Sequence, residues 1–528
     1  MRSRARTAEP QSLTRAAVGM GGVTVVSRLM GFVRVLVIAA VLGTTYLGNT
    51  FQSANSLSNV LFELLAAGAL SAVLVPTFVT LVDAGDDAEA DRLANGLLGY
   101  ALAAMGLITA LGLAFAPLLA RLLSSGAPNA HVGAQQRHLA TFLLYFFVPQ
   151  IVFYAFGAIA TALLYARRKF AITAAAPIGS SVVMLVCFIA FRVLAGANPT
   201  FDLTIAEKLL LATAGTGGVL GFVGILWVSA RRAGFSLRPR WTRHDPVLSS
   251  FSRLAVWGVL LHSGAAMLLG ASLVAGNGVA GGVVAYQVAF TFFLAPYAVL
   301  AQPIITTIMP QMANDVGAGS MDAFAHSVRW ALDRTALLVI PVSAGLVVIA
   351  LPMMRLVSFG SAAKTGPVLL AAGMASLALG LYPYSAFLLL ARGYYALGDS
   401  RTPAIVAIGT ALVGVLTMVI GSHIFHGAAL VAALGIGHST AYLLGMIVLG
   451  VGCRRRTGRS IVPTLLPISI AIAGVISFAA WIALRALDPV GRVTTIGCLA
   501  LVGGLGTVVY AVAVRRWWRL PHGFGQEA

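Results

Sequence analysis

Two arginines, Arg28 and Arg34, lie inside the first long apolar stretch of the sequence, which runs from about Ala17 to Gly43. At about 1.5 Å per helical residue, Arg28 lies roughly 17 Å along a helix over this stretch, close to the middle of a bilayer. A guanidinium at that depth costs about 2.5–3.5 kcal/mol on insertion scales, so it requires a wet cavity, an acidic partner or an anionic ligand. The pair therefore predicts a site for a negatively charged group.

The spacing of the two arginines limits how they act together. Six residues place the side chains about 9 Å apart along a helix and about 120° apart around it, so they share one ligand only if the helix bends, for example at Gly31. A guanidinium binds the oxygens of an anionic group bidentately and stays charged. We predict Ser27, Arg28 and Arg34 as substrate contacts and Gly31 as a gating residue. The alternative is an ion pair with Glu63 that holds helices together.

Polar residues also open the second apolar stretch. From Gln52 onward they are three or four residues apart and so share one helix face. We predict contact with the substrate in a cavity, with bonding between helices as the alternative, for Asn49, Gln52, Asn55 and Asn59. Glu63 continues the face, and we predict it as a counter-ion or as a group that binds a proton or cation, with one half of a fixed salt bridge as the alternative. In each case a buried carboxylate requires a partner.

Three prolines are spaced by seven residues in a later apolar stretch: Pro296, Pro303 and Pro310. They lie on one side of a helix and are expected to kink it, which is tolerated where a cavity or a neighbouring helix satisfies the freed carbonyls. We predict Pro296 and Pro303 as gating residues. Other polar residues in apolar stretches, Gln150, His262, Gln287 and Gln302, are more often satisfied packing residues, and His262 alone among them is a candidate titrating group.

The composition defines the class of protein. Hydrophobic residues make up 59% of the 528 residues and charged residues only 10%, far from the roughly 25% charged residues of soluble domains. We predict an all-α polytopic membrane protein with about fourteen transmembrane helices. The predicted spans cover residues 17–43, 51–80, 94–119, 139–165, 170–195, 208–230, 251–275, 279–311, 335–359, 366–391, 403–425, 427–452, 462–486 and 493–514.

The net charge of +19 arises from 35 Lys and Arg against 16 Asp and Glu. With a cytoplasmic N-terminus, 25 of these 35 basic residues fall in cytoplasmic segments and 8 in external ones, which leaves Arg28 and Arg34 within a span. This bias follows the positive-inside rule and predicts a multi-pass protein of the bacterial plasma membrane with both termini in the cytoplasm. The basic charge thus reflects topology, and nucleic acid is not an expected partner.

An internal repeat organises the chain. The segment VPTF at 75–78 matches MPQM at 309–312 with an offset of 234. The segment YARRKFAI at 165–172 resembles YALGDSRTPAI at 395–405 with an offset of 230. Six helices repeated as six give two bundles of the same orientation, related by pseudo-two-fold symmetry about an axis along the membrane normal. The predicted domains are a basic tail 1–16, a bundle 17–231, a basic linker 232–250, a bundle 251–453, and two further helices with a basic tail over 454–528.

Enzymatic chemistry finds little support in the sequence. It contains no GxxxxGK[ST] nucleotide loop, and Cys187, Cys453 and Cys498 have no spacing typical of a metal site or a disulfide framework. The acidic loop 83–91 is predicted to be solvated. We therefore expect a protein that is not an enzyme, with no catalytic residues, no metal and no cofactor.

Three segments resemble the signature segments of the MviN/MurJ family, which belongs to the multidrug/oligosaccharidyl-lipid/polysaccharide exporter superfamily. They are SRLMGFVR at 27–34, AGALSAVLVP at 67–76 and GYYALGDSRTP at 393–403. The resemblance implies a fourteen-helix flippase that moves lipid II, the lipid-linked diphosphate precursor of peptidoglycan, from the inner to the outer leaflet by alternating access. It also allows for partners among proteins of cell-wall synthesis or division.

The sequence departs from the family pattern at several positions. Phe62 stands where family members often carry a basic residue, and Thr291 stands where an arginine is expected. Two cationic positions that line the cavity in such flippases are therefore missing. This favours, as an alternative function, the export of another polyprenyl-diphosphate-linked glycan or of an amphipathic drug.

Overall fold

The computed structural model describes residues 10–62, 68–240, 246–363, 366–487 and 491–517, and these are helical apart from short connections. The chain packs as two compact units, residues 1–262 and 263–528. The helical membrane fold is thus confirmed. The predicted domain boundaries, which divide the chain more finely, stay a prediction.

The first unit contains nine complete helices within its described residues. They are α1 (Pro10–Leu42), α2 (Tyr46–Phe62), α3 (Gly68–Asp83), α4 (Asp87–Ala114), α5 (Ala116–Leu123), α6 (Ala130–Phe147), α7 (Gln150–Ala166), α8 (Phe170–Ala195) and α9 (Ile205–Arg232).

Helix α10 (Pro246–Gly276) begins in the first unit and ends in the second. The helices that follow are α11 (Gly282–Pro296), α12 (Gln302–Gly317), α13 (Met321–Val357), α14 (Gly366–Ala378), α15 (Leu381–Ala396), α16 (Arg401–Ile424), α17 (Gly427–Thr457), α18 (Leu466–Leu487) and α19 (Arg492–Val514). Three short turns accompany them: a π-helical turn at Tyr297–Ala301 and 3₁₀ turns at Gly360–Ala362 and Arg515–Trp517.

The described residues include eleven helical segments long and apolar enough to cross a membrane, or twelve if α14 and α15, which are bent by 43°, form one broken span. The two other predicted spans, 51–80 and 251–275, both cross parts of the chain that the structure describes incompletely. The predicted count of fourteen is therefore not reached, and it stays a prediction at these two spans.

The core of the first unit is built from aromatic contacts between helices. The Phe51 ring of α2 meets Phe147 of α6 and Phe188 of α8 edge-on, with ring centroids 5.7 Å and 5.2 Å apart. All three rings are buried. Edge-to-face packing of this kind adds to the burial of apolar area and fixes the distance between helices. It holds α2 beside the helices that carry the polar residues described below.

Helices α6 and α7 form one long apolar segment that breaks at Val148 and Pro149. A break inside a membrane leaves carbonyl groups without their helical partners. Two hydroxyl groups replace those partners: Ser58 donates to the Phe147 carbonyl at 2.7 Å, and Thr216 donates to the Phe146 carbonyl at 2.7 Å. The break is therefore satisfied from the neighbouring helices α2 and α9.

The two C-terminal helices pack on α13. The Ser469 hydroxyl of α18 donates to the Ala336 carbonyl at 3.1 Å, and Tyr510 of α19 lies 2.6 Å from the same hydroxyl. At the start of α18, the Leu465 amide donates to Asp333 at 2.8 Å. These bonds fix the additional helices to the second unit.

The turn after α3 and the turn after α12 have the same conformation. Gly85 and Gly319, at the repeat offset of 234, both adopt positive φ, 77° and 71°. The next residues, Asp86 and Ser320, both cap the following helix, by accepting from the Glu89 amide at 3.1 Å and from the Ala323 amide at 3.3 Å. The local structure thus supports the internal repeat.

The second repeated segment shows the same agreement. Arg168 and Gly398, at the offset of 230, both adopt positive φ, 55° and 75°. Their amides donate to the carbonyls of Tyr165 and Tyr395, at 2.9 Å and 3.0 Å. This is the αL ending of a helix, which glycine adopts without strain and other residues adopt at a cost. Each bundle therefore turns in the same way between two spans.

Asp399, in the loop between α15 and α16, bonds to Thr402 and Arg456, and we call these three residues the latch. Its carboxylate accepts from the Thr402 amide at 2.9 Å and from the Thr402 hydroxyl at 2.6 Å, and pairs with Arg456 of α17 at 2.6 Å. Burial alone raises the pKa of the Asp399 carboxyl, but the bonds from Thr402 and Arg456 outweigh it, so the pKa lies below its ordinary value. The motif GYYALGDSRTP thus serves to fasten α17 to the start of α16.

We expect Asp399→Asn to lower the free energy of unfolding by about 1–2 kcal/mol at neutral pH, because a charge-assisted bond and an ion pair are lost. A depressed pKa means that this contribution is complete above the unfolded-state value of about 3.9 and is lost as the pH falls through the folded-state pKa. Wild type and variant should therefore converge in stability on acidification below about pH 4.

Thermal unfolding in detergent, measured over a series of pH values, checks this expectation. Glu89→Gln is the matched control, since Glu89 pairs with Arg92 only at an exposed i,i+3 site, which is worth less than about 1 kcal/mol. An Asp399→Asn effect no larger than that of the control would show that the latch does not stabilise the fold.

Candidate functional site

Helix α1 carries both intramembrane arginines and packs chiefly against α8. It runs without interruption through Gly31, where an added Cβ would meet no atom within 4 Å. The predicted bend is therefore not formed in this conformation, although nothing packs against the glycine to prevent it. The gating role of Gly31 stays a prediction.

Arg34 is half-buried and reaches across to the neighbouring helix. Its Nη1 donates to the Ser180 hydroxyl of α8 at 3.3 Å, and the guanidinium lies near Tyr154 of α7. No ion pair joins Arg34 to an acidic residue in the described part of the chain. A cation held only by neutral oxygen groups keeps its charge available for an anion.

Asn59 lies on the other side of Tyr154. The Tyr154 hydroxyl donates to the Asn59 Oδ1 at 2.6 Å and so joins α7 to α2. Four side chains from four helices therefore form one polar group, which we call the Arg34 cluster: Arg34, Asn59, Tyr154 and Ser180. A guanidinium, an amide and two hydroxyls can together bind a phosphate or diphosphate without forming a covalent bond.

Arg28 lies six residues, about 1.7 helical turns, before Arg34, and its side chain is exposed. No hydrogen bond or ion pair connects its guanidinium to any residue that the structure describes. Ser27, beside it, is 6% exposed and so faces the packed side of the helix. The alternative partner, Glu63, lies outside the described residues, so the ion-pair hypothesis stays open for both arginines.

The polar face predicted on α2 divides into two parts. Asn49 is fully buried and Gln52 is only 7% exposed, so in this conformation they contribute to helix packing. Asn55 is half-buried and Asn59 is exposed, at the end of α2 near the Arg34 cluster. Substrate contact thus stays a prediction for all four residues, with the geometry favouring the two at this end.

Two members of the Arg34 cluster were not identified from the sequence. Tyr154 and Ser180 lie in apolar spans where single tyrosines and serines are common, so their types give no signal. Their bonds to Asn59 and Arg34 connect positions 95 and 146 residues apart. Only the packing of α7 and α8 against the first two helices brings them together.

We expect Tyr154→Phe to reduce transport about fivefold, since one hydrogen bond of about 1 kcal/mol that positions Asn59 is removed while the ring remains. Initial transport rates in proteoliposomes check this. Tyr165→Phe, at the other end of α7, is the matched control because its ring packs on Phe170. Equal rates for Tyr154→Phe and Tyr165→Phe would remove the hydroxyl from the site.

The prolines predicted as gating residues flank an irregular segment in the second unit. Pro296 ends α11, the π-helical turn Tyr297–Ala301 follows, and Pro303 lies in the first turn of α12. Turns of this kind occur often at functional sites and mark points where a helix can change direction. The π-helical turn lies between these two prolines, within one continuous helical segment from Gly282 to Gly317. A kink and movement at this turn stay predictions.

Within the described residues, no group of three or more His, Cys, Asp and Glu is placed to hold a metal ion. In the first unit, the guanidinium, amide and hydroxyl groups of the Arg34 cluster have the chemistry to bind an anion, and such binding stays a prediction.

Comparison with known proteins gives a consistent result. The family model described as "Lipid II flippase MurJ" matches residues 38–496. A lipid II flippase MurJ from Burkholderia cenocepacia is 25% identical over 512 residues, covering 94% of this chain and 96% of its own. A probable lipid II flippase MurJ from Vibrio cholerae is 27% identical over 404 residues, covering 74% of each chain.

The fold is also similar to solved structures. A lipid II flippase MurJ in an inward closed conformation matches with a TM-score of 0.74 and 18% identity, over 95% of this chain and 99% of its own. An inward-facing multidrug resistance transporter of the MATE family matches with a TM-score of 0.66 and 14% identity, over 84% and 98%. At these identities the similarity establishes a shared fold.

Proposed function

The chain belongs to the lipid II flippase MurJ family, and from that membership we propose that it moves lipid II, the undecaprenyl-diphosphate-linked precursor of peptidoglycan, from the inner to the outer leaflet of the bacterial plasma membrane. The resemblance of its signature segments gives the same function. The proposal includes cytoplasmic termini, which follow from the distribution of basic residues, and transport by alternating access.

The observation that carries the proposal is the placement of Arg28 and Arg34. Both lie in a helix apolar enough to cross a membrane, and neither pairs with an acidic residue among those described. Such cations are retained within a membrane when they bind or conduct something negative. The diphosphate of a lipid-linked saccharide has the charge and the oxygen spacing that guanidinium groups bind bidentately.

The transport step that we propose makes and breaks no covalent bond. The diphosphate exchanges its water for the guanidinium groups and for the hydroxyl and amide groups of the Arg34 cluster, and then exchanges these for water on the other side. Since the sequence contains no nucleotide-binding loop, we infer that an ion gradient, the membrane potential or consumption of the product supplies the direction.

Thr291 favours a second candidate function. It stands where the family resemblance leads us to expect an arginine, and its hydroxyl donates to the Gln287 carbonyl of its own helix at 3.0 Å. The position therefore supplies no cation to a substrate. With fewer cationic groups, another polyprenyl-diphosphate-linked glycan or an amphipathic drug is the alternative substrate.

Complementation tests the proposal. The chain is expressed in a bacterium whose own lipid II flippase can be depleted, and growth after depletion is recorded at matched protein levels. We expect growth to be restored. Lysis as in the empty-vector strain, with the protein present in the membrane, would contradict lipid II transport and support the alternative substrates.

A further inference from the structure

A histidine is buried within the second unit. His438 lies in α17, is 4% exposed, and its Nδ1 is 3.1 Å from the Tyr286 hydroxyl of α11. Aromatic rings surround the imidazole, and we call this group the His438 box: Tyr286, Phe290, Phe293, Tyr384 and Tyr442. The imidazole centroid lies 5.4 Å from Phe290, 5.5 Å from Phe293, 6.4 Å from Tyr384 and 4.9 Å from Tyr442.

The other ring nitrogen of His438 is buried without a hydrogen-bond partner among the described residues. A buried polar atom left in this state costs about 1–3 kcal/mol, so its retention calls for an explanation. If Nδ1–H donates to Tyr286, Nε2 presents a bare lone pair to the aromatic rings. This lone pair is the place where a proton can add.

The residues of the His438 box have one stabilising and one destabilising effect on the charged form of the imidazole. After protonation, Nδ1–H has the Tyr286 oxygen as acceptor, and the second N–H lies among rings whose π faces attract a cation. Burial opposes the charge because no water solvates it. In this conformation burial favours the neutral form, so uptake of a proton requires the packing around the imidazole to change.

The His438 box contacts the irregular segment of the α11–α12 region directly. Tyr384 lies 5.3 Å from Phe293 and 4.9 Å from Tyr297, the first residue of the π-helical turn, measured between ring centroids. The rings that pack on His438 therefore also pack on the segment that Pro296 and Pro303 flank. A change of charge at His438 acts on the rings that hold this turn.

The titratable groups around His438 are tyrosines. Tyr286 faces it from α11, Tyr384 from α15 and Tyr442 from α17 itself. Helix α14 has no titratable residue, and α16 has Arg401 and His423 near its two ends. On α17 the basic run begins at Arg454, sixteen residues or about 24 Å from His438. Among the groups of this box, the imidazole of His438 is the one whose unperturbed pKa lies nearest neutral pH.

We propose that His438 is a proton-binding site, and that binding of a proton changes the conformation of the π-helical turn Tyr297–Ala301. Only the role that we assign to the proton, which is to couple to the transport cycle, rests on the proposed function. The proton adds to Nε2 of the neutral imidazole and leaves from the same atom, so no other reactant is needed.

Cysteine alkylation tests the proposal without any lipid substrate. In the full chain, Cys187, Cys453 and Cys498 are replaced by alanine, and Val299→Cys places a reporter in the turn, where the native side chain is 68% exposed. The protein is reconstituted in liposomes, and the alkylation rate is followed from about pH 5 to pH 8, the range in which histidine titrates. A second preparation with Leu412→Cys in place of Val299→Cys supplies the reference rate of an exposed thiol.

We expect the rate at position 299, divided by the reference rate, to pass through a one-proton transition. His438→Phe, which keeps an aromatic ring, should abolish the transition, and Tyr286→Phe should shift its midpoint. His423→Phe, at the exposed end of α16, is the control and should leave it unchanged. If His438→Phe does not fold, the test depends on the midpoint of the pH transition in Tyr286→Phe. A midpoint equal to that of the wild type contradicts the proposal.

A flat wild-type profile, or a transition that persists in His438→Phe, would overturn the proposal. These outcomes are distinct from failure of the proposed function. A transition that depends on His438 in a chain that fails to restore growth would preserve the proton site and reject lipid II as substrate. Restored growth together with a flat alkylation profile would support lipid II as the substrate and reject the proton site.

Discussion

Arg28→Ala should abolish lipid II transport while the protein folds and inserts as the wild type does. The guanidinium is exposed and bonds to no residue that the structure describes, so its loss breaks no described contact of the fold. A charge-assisted contact to the substrate phosphate is worth about 1.5–3 kcal/mol, which corresponds to a loss of roughly ten- to a hundredfold in binding. Arg28→Lys should be markedly impaired too, because a point charge lacks the bidentate geometry.

Growth of the flippase-depleted strain, together with membrane protein levels and thermal stability in detergent, measures this effect. Arg121→Ala is the matched control, since Arg121 is an exposed arginine in α5 with no proposed role. Rescue by Arg28→Ala at wild-type protein levels would remove Arg28 from the mechanism. Loss of folded protein only in Arg28→Ala would instead support the ion pair with Glu63.

Arg34→Ala is expected to have an effect of similar size, again without unfolding. Its bond to the Ser180 hydroxyl is 3.3 Å long and part-buried, and a neutral partner of this kind contributes only about 1 kcal/mol to stability. Ser180→Ala should therefore reduce transport mildly, because it leaves the guanidinium in place. The difference between the two variants separates the charge of Arg34 from its packing against α8.

Transport rates in proteoliposomes at several substrate concentrations check this prediction. We expect Arg34→Ala to lose transport at every concentration tested, and Ser180→Ala to recover most of it at saturating substrate. A defect of equal size in both variants would mean that Arg34 serves to hold α1 against α8 and does not bind the substrate.

The sequence predicts those parts of this site that depend on charge and on local turns. Arg28 and Arg34 stand out because an apolar span rarely contains arginine. The two repeated turns are equally visible, since Gly85 and Gly319 take the same positive φ at the offset that the sequence gives. Each of these signals is contained within a short segment of the sequence.

The rest of the site depends on which helices become neighbours. Nothing in the types of Tyr154 and Ser180 links them to Asn59 and Arg34, because a period of 3.6 residues identifies a face of a helix but not its partner. The same limit explains why the sequence does not identify the buried histidine of the second unit. The sequence singles out His262 as a candidate titrating group, which stays a prediction. It gives no signal for His438, which the structure places among five aromatic rings from three helices.

The span count shows a related limit. Hydropathy finds apolar stretches but does not show where a helix breaks. The segment 366–391 was predicted as one span, and the structure divides it into α14 and α15 with a 43° bend. Likewise Pro149 interrupts the fourth predicted span, and the bonds from Ser58 and Thr216 that satisfy the break come from distant segments.

Direct translocation of lipid II tests the central claim. The purified chain is reconstituted in liposomes with fluorescently labelled lipid II, and the fraction of headgroups accessible to an external reagent is followed with time, beside Arg28→Ala and protein-free liposomes. We expect the wild type to raise accessibility well above the protein-free rate and Arg28→Ala to match that rate. Wild-type liposomes indistinguishable from protein-free ones, or equal translocation by Arg28→Ala, would contradict lipid II transport through this cationic site.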